Sequence, residues 1–402
     1  MLNTIFSGDF PRSRILSVML LAIFVMLALG PFLFPSTRAF STLGMICIFI
    51  IVVASYDVML GYTHIVSFAH TMFFGIGAYG VAMAVTAMGN TFSAILAGTL
   101  AAVAVTIVLS LLLGLLSLRV RAIFFALVTL AVAFAFMTLV NQLYTVTGGE
   151  DGLRVRVPRE LGPAFRPFDG TLRGFSITTF LSGLFTQPWN LGEVIREAMF
   201  DVRITGRDIM YYVTFAFSLT AFLLLLRMMN SPFGRVLQAI RENEFRAEAL
   251  GYRTVYYRTA VVLVSTVLTT LAGVLFALLN RYVNPENTLN FELMVFILLM
   301  CVIGGMGTLY GAVIGVALFM LAENYLQDLL RVLGGYVEGI PLVERLVGPE
   351  HWLFWFGLLF VLSVYFFPRG IVGLLRLCSA NGARRRAFAA DENAREQRES
   401  QA

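Results

Sequence analysis

The feature that most constrains this chain is a series of apolar runs, many about 20 residues long, that recur from Ile15 to Phe367. An α-helix rises about 1.5 Å per residue, so a run of that length crosses a hydrocarbon layer of about 30 Å. Lipid cannot satisfy backbone N–H and C=O groups, so a run of this kind crosses as a helix. The runs fall at Ile15–Phe34, Phe40–Leu60, Thr71–Met88, Phe92–Leu118, Ala122–Tyr144, Asp208–Met229, Thr259–Tyr282, Glu292–Ile303, Thr308–Leu326 and Trp352–Phe367. The fold class is therefore an all-α polytopic membrane protein with about ten transmembrane helices. The span at Thr71–Met88 and the short one at Glu292–Ile303 are the two that could drop out, which gives a range of eight to ten.

The charges narrow the function. Every one of the 29 basic side chains is arginine. A phosphate-binding loop of the G-x-x-x-x-G-K-[ST] type needs its lysine, so this chain lacks an ATPase site of that kind. A lysine Schiff base is excluded for the same reason. Cys47, Cys301 and Cys378 have no spacing that suggests a disulfide framework. With only His64, His70 and His351, repeated histidine clusters for a metal cannot be assembled. No metal site and no catalytic constellation is expected. The arginines report orientation rather than nucleic-acid binding. With the N-terminus cytoplasmic, ten spans place Arg119, Arg121, the loop after Met229 and the Arg384–Arg386 tail in the cytoplasm. They place Thr147 to Arg207 outside, and a long loop translocates largely regardless of its charge. The division expected is a permease domain over 1–378, with an external polar segment at 145–207 and a cytoplasmic loop at 230–258, followed by a charged tail over 379–402.

Four stretches break the apolar pattern. The first, SPFGRVLQAIRENEFRAEALG, runs from Ser231 to Gly251. Ser231 can cap a helix and Pro232 suits its first position. Phe233, Val236, Leu237 and Ile240 recur at helical spacing, while Arg235, Arg241, Glu242 and Glu244 lie mostly off that stripe. Gly251 reads as the stop. A bare connector needs neither caps nor a stripe, so the expectation is one helix that docks a soluble partner. The second stretch, GYTHIVSFAHTMFFGIGAYG, places Gly61, His64, Ser67, His70, Gly75, Gly77 and Tyr79 at membrane depth. The third is Gly304-Gly305-Met306-Gly307. Interrupted spans in corresponding positions of two halves point to a substrate path between them. Asp57, close to the second break, either snorkels to the interface or has a function. The fourth, TGGEDGL, spans Thr147 to Leu153 and uses Gly148, Gly149 and Gly152 for tight turns, with Asp151 capping or holding one. Within Ser182 to Phe200, Leu184, Trp189, Leu191, Val194, Ile195 and Met199 suggest an amphipathic helix lying on the membrane.

These motifs resemble the M-type permease subunit of bacterial branched-chain amino acid ABC importers. The resemblance rests on Gly61–Gly80, Thr147–Leu153, Ser231–Arg253 and the pair GGMGTLYGAVIG (304–315) and FFPRGIVGLL (366–375), which occur in the family's order. It implies a permease working with a second, similar permease, two ATP-binding subunits that hydrolyse ATP, and an external substrate-binding protein. This chain itself would bind no cofactor, and its surroundings would be the lipid bilayer of the inner membrane. The family's docking loop has an E-A-x-x-x-G-like core, which corresponds here to the region of Ala247, Glu248, Ala249 and Gly251. The family also serves urea, short amides and some carboxylic acids, and the sequence does not choose among them. The external segment from Arg154 to Arg207 either meets the binding protein or is an insertion. Two rival readings are a secondary transporter with Asp57 and His70 as a proton relay, and a channel for a small neutral solute.

Overall fold

The computed structural model describes residues 14–34, 36–116, 122–167, 172–177, 179–180, 191–336, 349–366 and 370–375. Arg119, Arg121, Leu184, Trp189 and the tail Arg384–Arg386 lie outside the described residues. Eight helices among the described residues are long and apolar enough to cross a membrane. Two further apolar helices, α1 (Arg14–Ala28) and the one over Trp352–Phe366, have 15 residues each, or about 22 Å. The expected range of eight to ten spans stands, but the two spans expected to be weakest, Thr71–Met88 and Glu292–Ile303, fall within helices counted among the eight, and the shorter ones are the first and the last.

The post of the bundle is α2, Thr37–Thr63. It is apolar all round rather than on one stripe, the pattern of a helix buried on every face. Its residues from Ile46 to Thr63 are all buried. After it in the chain come α3 (His70–Met88), α4 (Phe92–Leu116), α5 (Ala122–Gln142) and α6 (Gly206–Met229). After α6 come two short helices, α7 (Pro232–Glu242) and α8 (Glu244–Ala249). The remaining long helices are α9 (Thr254–Asn280), α10 (Phe291–Gly304), α11 (Leu309–Tyr336) and α12 (Trp352–Phe366). α2 touches α6, α7, α9, α10 and α11, whereas α3 packs mainly on α9 and α4.

Small residues decide the closest crossing. A methyl group at Gly77 in α3 would strike the Thr270 carbonyl of α9, and one at Gly273 would strike the Phe74 carbonyl of α3. The Thr270 hydroxyl donates to the Phe73 carbonyl at 3.1 Å and contacts the Thr106 hydroxyl of α4 at 2.7 Å. Lipid gives two apolar helices little reason to associate, so close backbone approach and hydrogen bonds of this kind hold them.

The bundle has two ends. At one lie the link between α2 and α3, the α7–α8 loop, the turn between α10 and α11, and Gly370. At the other lie the described residues between Leu143 and Thr205 and the turn after Asn280. There Leu153–Arg154 pairs antiparallel with Tyr282–Val283, and Leu172–Phe175 pairs with Met199–Val202. The amphipathic helix expected within Ser182 to Phe200 forms over part of that stretch. Among the described residues it spans Leu191–Ala198 and gives way to a strand at Met199, because the edge of Leu172–Phe175 offers that backbone a ladder. The Thr147 turn forms as read. Its hydroxyl donates towards the Val140 and Leu143 carbonyls, and Gly148, Gly149 and Gly152 all have positive φ. Asp151 accepts from Tyr282 through its carbonyl at 2.8 Å and from Tyr144 through its carboxylate at 3.4 Å.

Candidate functional site

The two glycine breaks and the polar loop meet at the same end of the bundle. α2 stops at His64, which turns into the left-handed region at φ 55°. α10 stops at Gly304, and Gly305 (φ 114°) and Gly307 (φ 78°) carry the chain into α11. The breaks interlock: a side chain at Gly61 would collide with the Gly307 backbone, and one at Gly304 with the Gly311 carbonyl. Gly370, at φ 70°, closes on Gly305 from the C-terminal side.

Asp57 sits one turn before Gly61 and is 1% exposed, so it does not snorkel. Its Oδ1 accepts the Gly307 N–H at 2.7 Å and lies 3.4 Å from the Cys301 thiol. The carboxylate thus faces the start of α11, where unpaired N–H groups and the helix dipole favour negative charge. Oδ2 has no protein partner among the described residues.

The polar loop differs from the single helix expected. α7 runs from Pro232 to Glu242 and buries Val236, Leu237 and Ile240, with Phe233 stacked on Tyr257 at 5.4 Å. Ser231 does not cap it, because its hydroxyl donates backwards to the Met228 carbonyl at 2.6 Å. The helix breaks at Asn243, whose backbone is extended and whose Oδ1 accepts the Arg246 N–H at 2.9 Å. Asparagine competes with the helix by capping the next one, and α8 is the result. Gly251, at φ 91°, ends the pair as read.

The candidate docking residues divide. Arg235, Glu242, Glu248 and Gly251 are exposed, whereas Ala247 of α8 is buried with Val236 and Ile240 of α7. Glu244 pairs with Arg258 at 2.7 Å, and Glu248 accepts from Thr254 at 2.7 Å, so both carboxylates fasten the loop to α9. Arg241 turns the other way, and its Nε donates to His64 Nε2 at 3.0 Å, beside Gly307. That bond needs a neutral imidazole. Burial first, and then the Arg241 guanidinium, lower the His64 pKa from 6.5. The residues missed in the sequence are Phe245, Leu250 and Tyr256, which are 83%, 72% and 64% exposed. Their signal was large apolar side chains within a polar loop and off its stripe.

The candidate pathway residues also separate. Ser67 is buried and accepts the Ala69 N–H at 3.2 Å, a local turn. His70 donates or accepts through Nε2 with Ser265 at 2.9 Å, while the Ser265 hydroxyl also reaches the Ser55 carbonyl at 2.5 Å. If that hydroxyl hydrogen goes to Ser55, His70 carries its proton on Nε2. Among the described residues His70 and Asp57 share no hydrogen bond with each other. Gly75 is covered by Leu289 and Gly77 by Thr270, so both serve helix packing. Tyr79 instead lines a cavity of about 610 Å³ between α3, α4 and α5, with Gly80, Ala84, Gly98, Ala102 and Val140.

The chain has relatives among known transport proteins. Residues 38–364 match the family described as branched-chain amino acid transport system / permease component. The chain is 26% identical over 324 residues to the high-affinity branched-chain amino acid transport system permease protein LivM of Escherichia coli strain K12, covering 79% of this chain and 71% of that one. It is also 26% identical over 327 residues to its namesake in Salmonella typhimurium, with the same coverage. The probable branched-chain amino acid transport permease protein LivM of Methanocaldococcus jannaschii is 30% identical over 148 residues, 36% of this chain and 41% of that one. No solved structure matches. With the family's match extending over most of its length, this multi-pass membrane chain belongs to the permease component family of branched-chain amino acid transport systems.

Proposed function

We propose that this chain is the membrane-spanning permease subunit of an ATP-driven importer that carries branched-chain or related amino acids across the inner membrane. One observation carries the reading: a loop of two short helices presents Phe245 and Leu250 to solvent at one face, and at the other reaches through Arg241 to the paired glycine breaks. Exposed apolar side chains on a polar loop suit a protein partner. The lysine-free sequence has no P-loop, so ATP hydrolysis falls to partner subunits docked on that loop. The arginines of this short loop support a cytoplasmic location for it and for both termini, with the Leu143–Thr205 segment outside. Closure of two ATP-binding subunits would then shift α7 and α8, and through Arg241 bias the breaks between outward-open and inward-open arrangements. A second, homologous permease completes the path and an external binding protein delivers the substrate.

The test is affinity purification from the native membrane in mild detergent, followed by reconstitution. The expected eluate holds an ATP-binding subunit and a second permease, and the proteoliposomes, supplied with the binding protein, take up leucine only with ATP. A chain that purifies alone and transports alone would overturn the reading.

A further inference from the structure

Helix α1 leaves a lengthwise gap beside α6 that the transport mechanism above does not use. It is fixed at both ends. Near its C-terminus the Tyr211 hydroxyl donates to the Leu27 carbonyl at 2.6 Å and the Tyr212 hydroxyl to the Ala28 carbonyl at 3.2 Å. Near its N-terminus Leu16 is buried with Ile314 of α11 and Val372. One end is thus tied to α6 and the other to α11, and between them the helices stand apart around a groove of about 380 Å³. Its walls are Leu20, Leu21 and Phe24 of α1 and Phe215, Leu219 and Leu223 of α6, with Cys47 and Ile50 of α2 behind them. The Ser218 hydroxyl does not break this apolar lining, because it donates to the Cys47 carbonyl at 2.7 Å.

What fills the groove follows from where it lies. Leu21 and Leu223 on its rim are 62% and 36% exposed, so it opens sideways, and in a bilayer that side holds acyl chains rather than water. A gap left without atoms would forfeit dispersion contacts along the whole lining, which draws a chain in. The stretch of α6 that lines it, from Phe215 to Leu226, is about 16 Å long, or one leaflet of a hydrocarbon layer of about 30 Å. This is the leaflet on the α7 side. The charge of the lipid follows from the stripe. Phe215, Leu219 and Leu223 recur every four residues and share one face of α6, and Arg227 continues that face one turn beyond the groove. Arg227 is exposed and, among the described residues, makes no ion pair. It stands at the level of the headgroup of a lipid whose chain occupies the groove. A guanidinium binds phosphate through paired donors, and arginines at the cytoplasmic surface attract anionic lipids.

We infer that the groove between α1 and α6 binds an acyl chain of an anionic phospholipid from the cytoplasmic leaflet, with Arg227 holding its phosphate. The leaflet rests on the orientation in the importer reading above; the groove and its cation do not. The groove also touches Leu226, close to the end of α6, and Tyr310, the second residue of α11. The lipid therefore sits between the helix that leads into α7 and the helix that leaves the glycine break.

The experiment purifies the chain in mild detergent with whatever subunits accompany it, equilibrates it with equal amounts of phosphatidylglycerol and phosphatidylcholine, and reads the retained lipid by native mass spectrometry. The unsubstituted chain should retain phosphatidylglycerol over phosphatidylcholine by about fivefold, the preference expected from one surface arginine. Arg227→Gln should hold the two lipids equally. Leu219→Trp puts an indole ring into the groove and should remove the lipid. Leu224→Trp, on the exposed face of α6 outside the groove, should retain it. A melting temperature near that of the unsubstituted chain shows that each variant is folded, and if Leu219→Trp fails that check, Arg227→Gln decides alone. No lipid retained by the unsubstituted chain, equal retention of the two lipids by it, a preference that survives Arg227→Gln, or a lipid that survives a folded Leu219→Trp would overturn the site. Loss of an accompanying subunit from folded Leu219→Trp with the lipid still present would also overturn it, by giving the groove to that subunit. These readings are of bound lipid and not of transport, so a chain that purifies alone yet keeps its phosphatidylglycerol would overturn the importer reading and leave the lipid site standing.

Discussion

Replacing Arg241 by methionine keeps the length of the side chain and removes the donor that reaches His64. The bond is 3.0 Å long and charge-assisted, but both residues are exposed, so its contribution is set low, at about 1 kcal/mol. That corresponds to about a fivefold change in the equilibrium between coupled and uncoupled arrangements of the loop. His64→Ala removes the same bond from the other side. If this contact carries loop movement into the breaks, Arg241→Met, His64→Ala and the double variant should each raise the ATP hydrolysed per leucine transported by a similar factor. The pH dependence supplies a second readout. His64 is an acceptor only when neutral, and its pKa is lowered in the folded chain. The contact is thus fully present above pH 6.5, the ordinary histidine value, and is lost as pH falls below it through the lowered pKa. Coupling in the unsubstituted transporter should weaken on acidification of the cytoplasmic side, whereas Arg241→Met should lack that component. Additive losses in the double variant, or an acid response that survives Arg241→Met unchanged, would refute the reasoning.

Three other outcomes follow from named contacts. Phe245→Ala should leave the detergent melting temperature unchanged, since the ring is 83% exposed, yet weaken co-purification of the ATP-binding subunit by about 30-fold, the cost of an interface anchor worth about 2 kcal/mol; undiminished co-purification would remove Phe245 from the interface. Gly77→Ala forces a methyl group onto the Thr270 carbonyl and should lower stability by about 1–3 kcal/mol, seen as a lower melting temperature, and a wild-type melt would contradict the α3–α9 packing described here. Asp57→Asn keeps an acceptor for the Gly307 N–H and should be milder than Asp57→Leu, which leaves that donor unsatisfied at a cost of about 1–3 kcal/mol; equal melts for the two would show that the bond does not matter.

Much of the fold was legible because lipid permits so few backbone solutions. The spans at Phe92, Asp208 and Thr259 correspond to helices starting at Phe92, Gly206 and Thr254, and the start of α6 is fixed locally by the capping box of Thr205 and Asp208. The stripe of Val236, Leu237 and Ile240 is buried as its period required. The loop's division at Asn243 was not legible, since whether an asparagine continues a helix or caps the next one depends on the ends being held, here by the Glu244–Arg258 and Glu248–Thr254 contacts. The fate of the glycines was hidden for a similar reason. Gly61, Gly75 and Gly77 look alike in the sequence, yet one meets the Gly307 backbone, one Leu289 and one Thr270.

By itself the sequence determined that this chain spans a membrane repeatedly, that it has no lysine for a P-loop, and that its polar stretches lie between spans. Those conclusions depend on composition and on distances along the chain, which the bilayer converts directly into structure. Only the tertiary structure decided that Arg241 meets His64, that Asp57 faces the start of α11, and that Arg281 joins Arg156 across more than 120 residues. Those pairings come from how helices of similar apolarity pack, which is selected by glycines, hydroxyls and single buried charges rather than by hydrophobicity, and so leaves no periodic trace in the sequence.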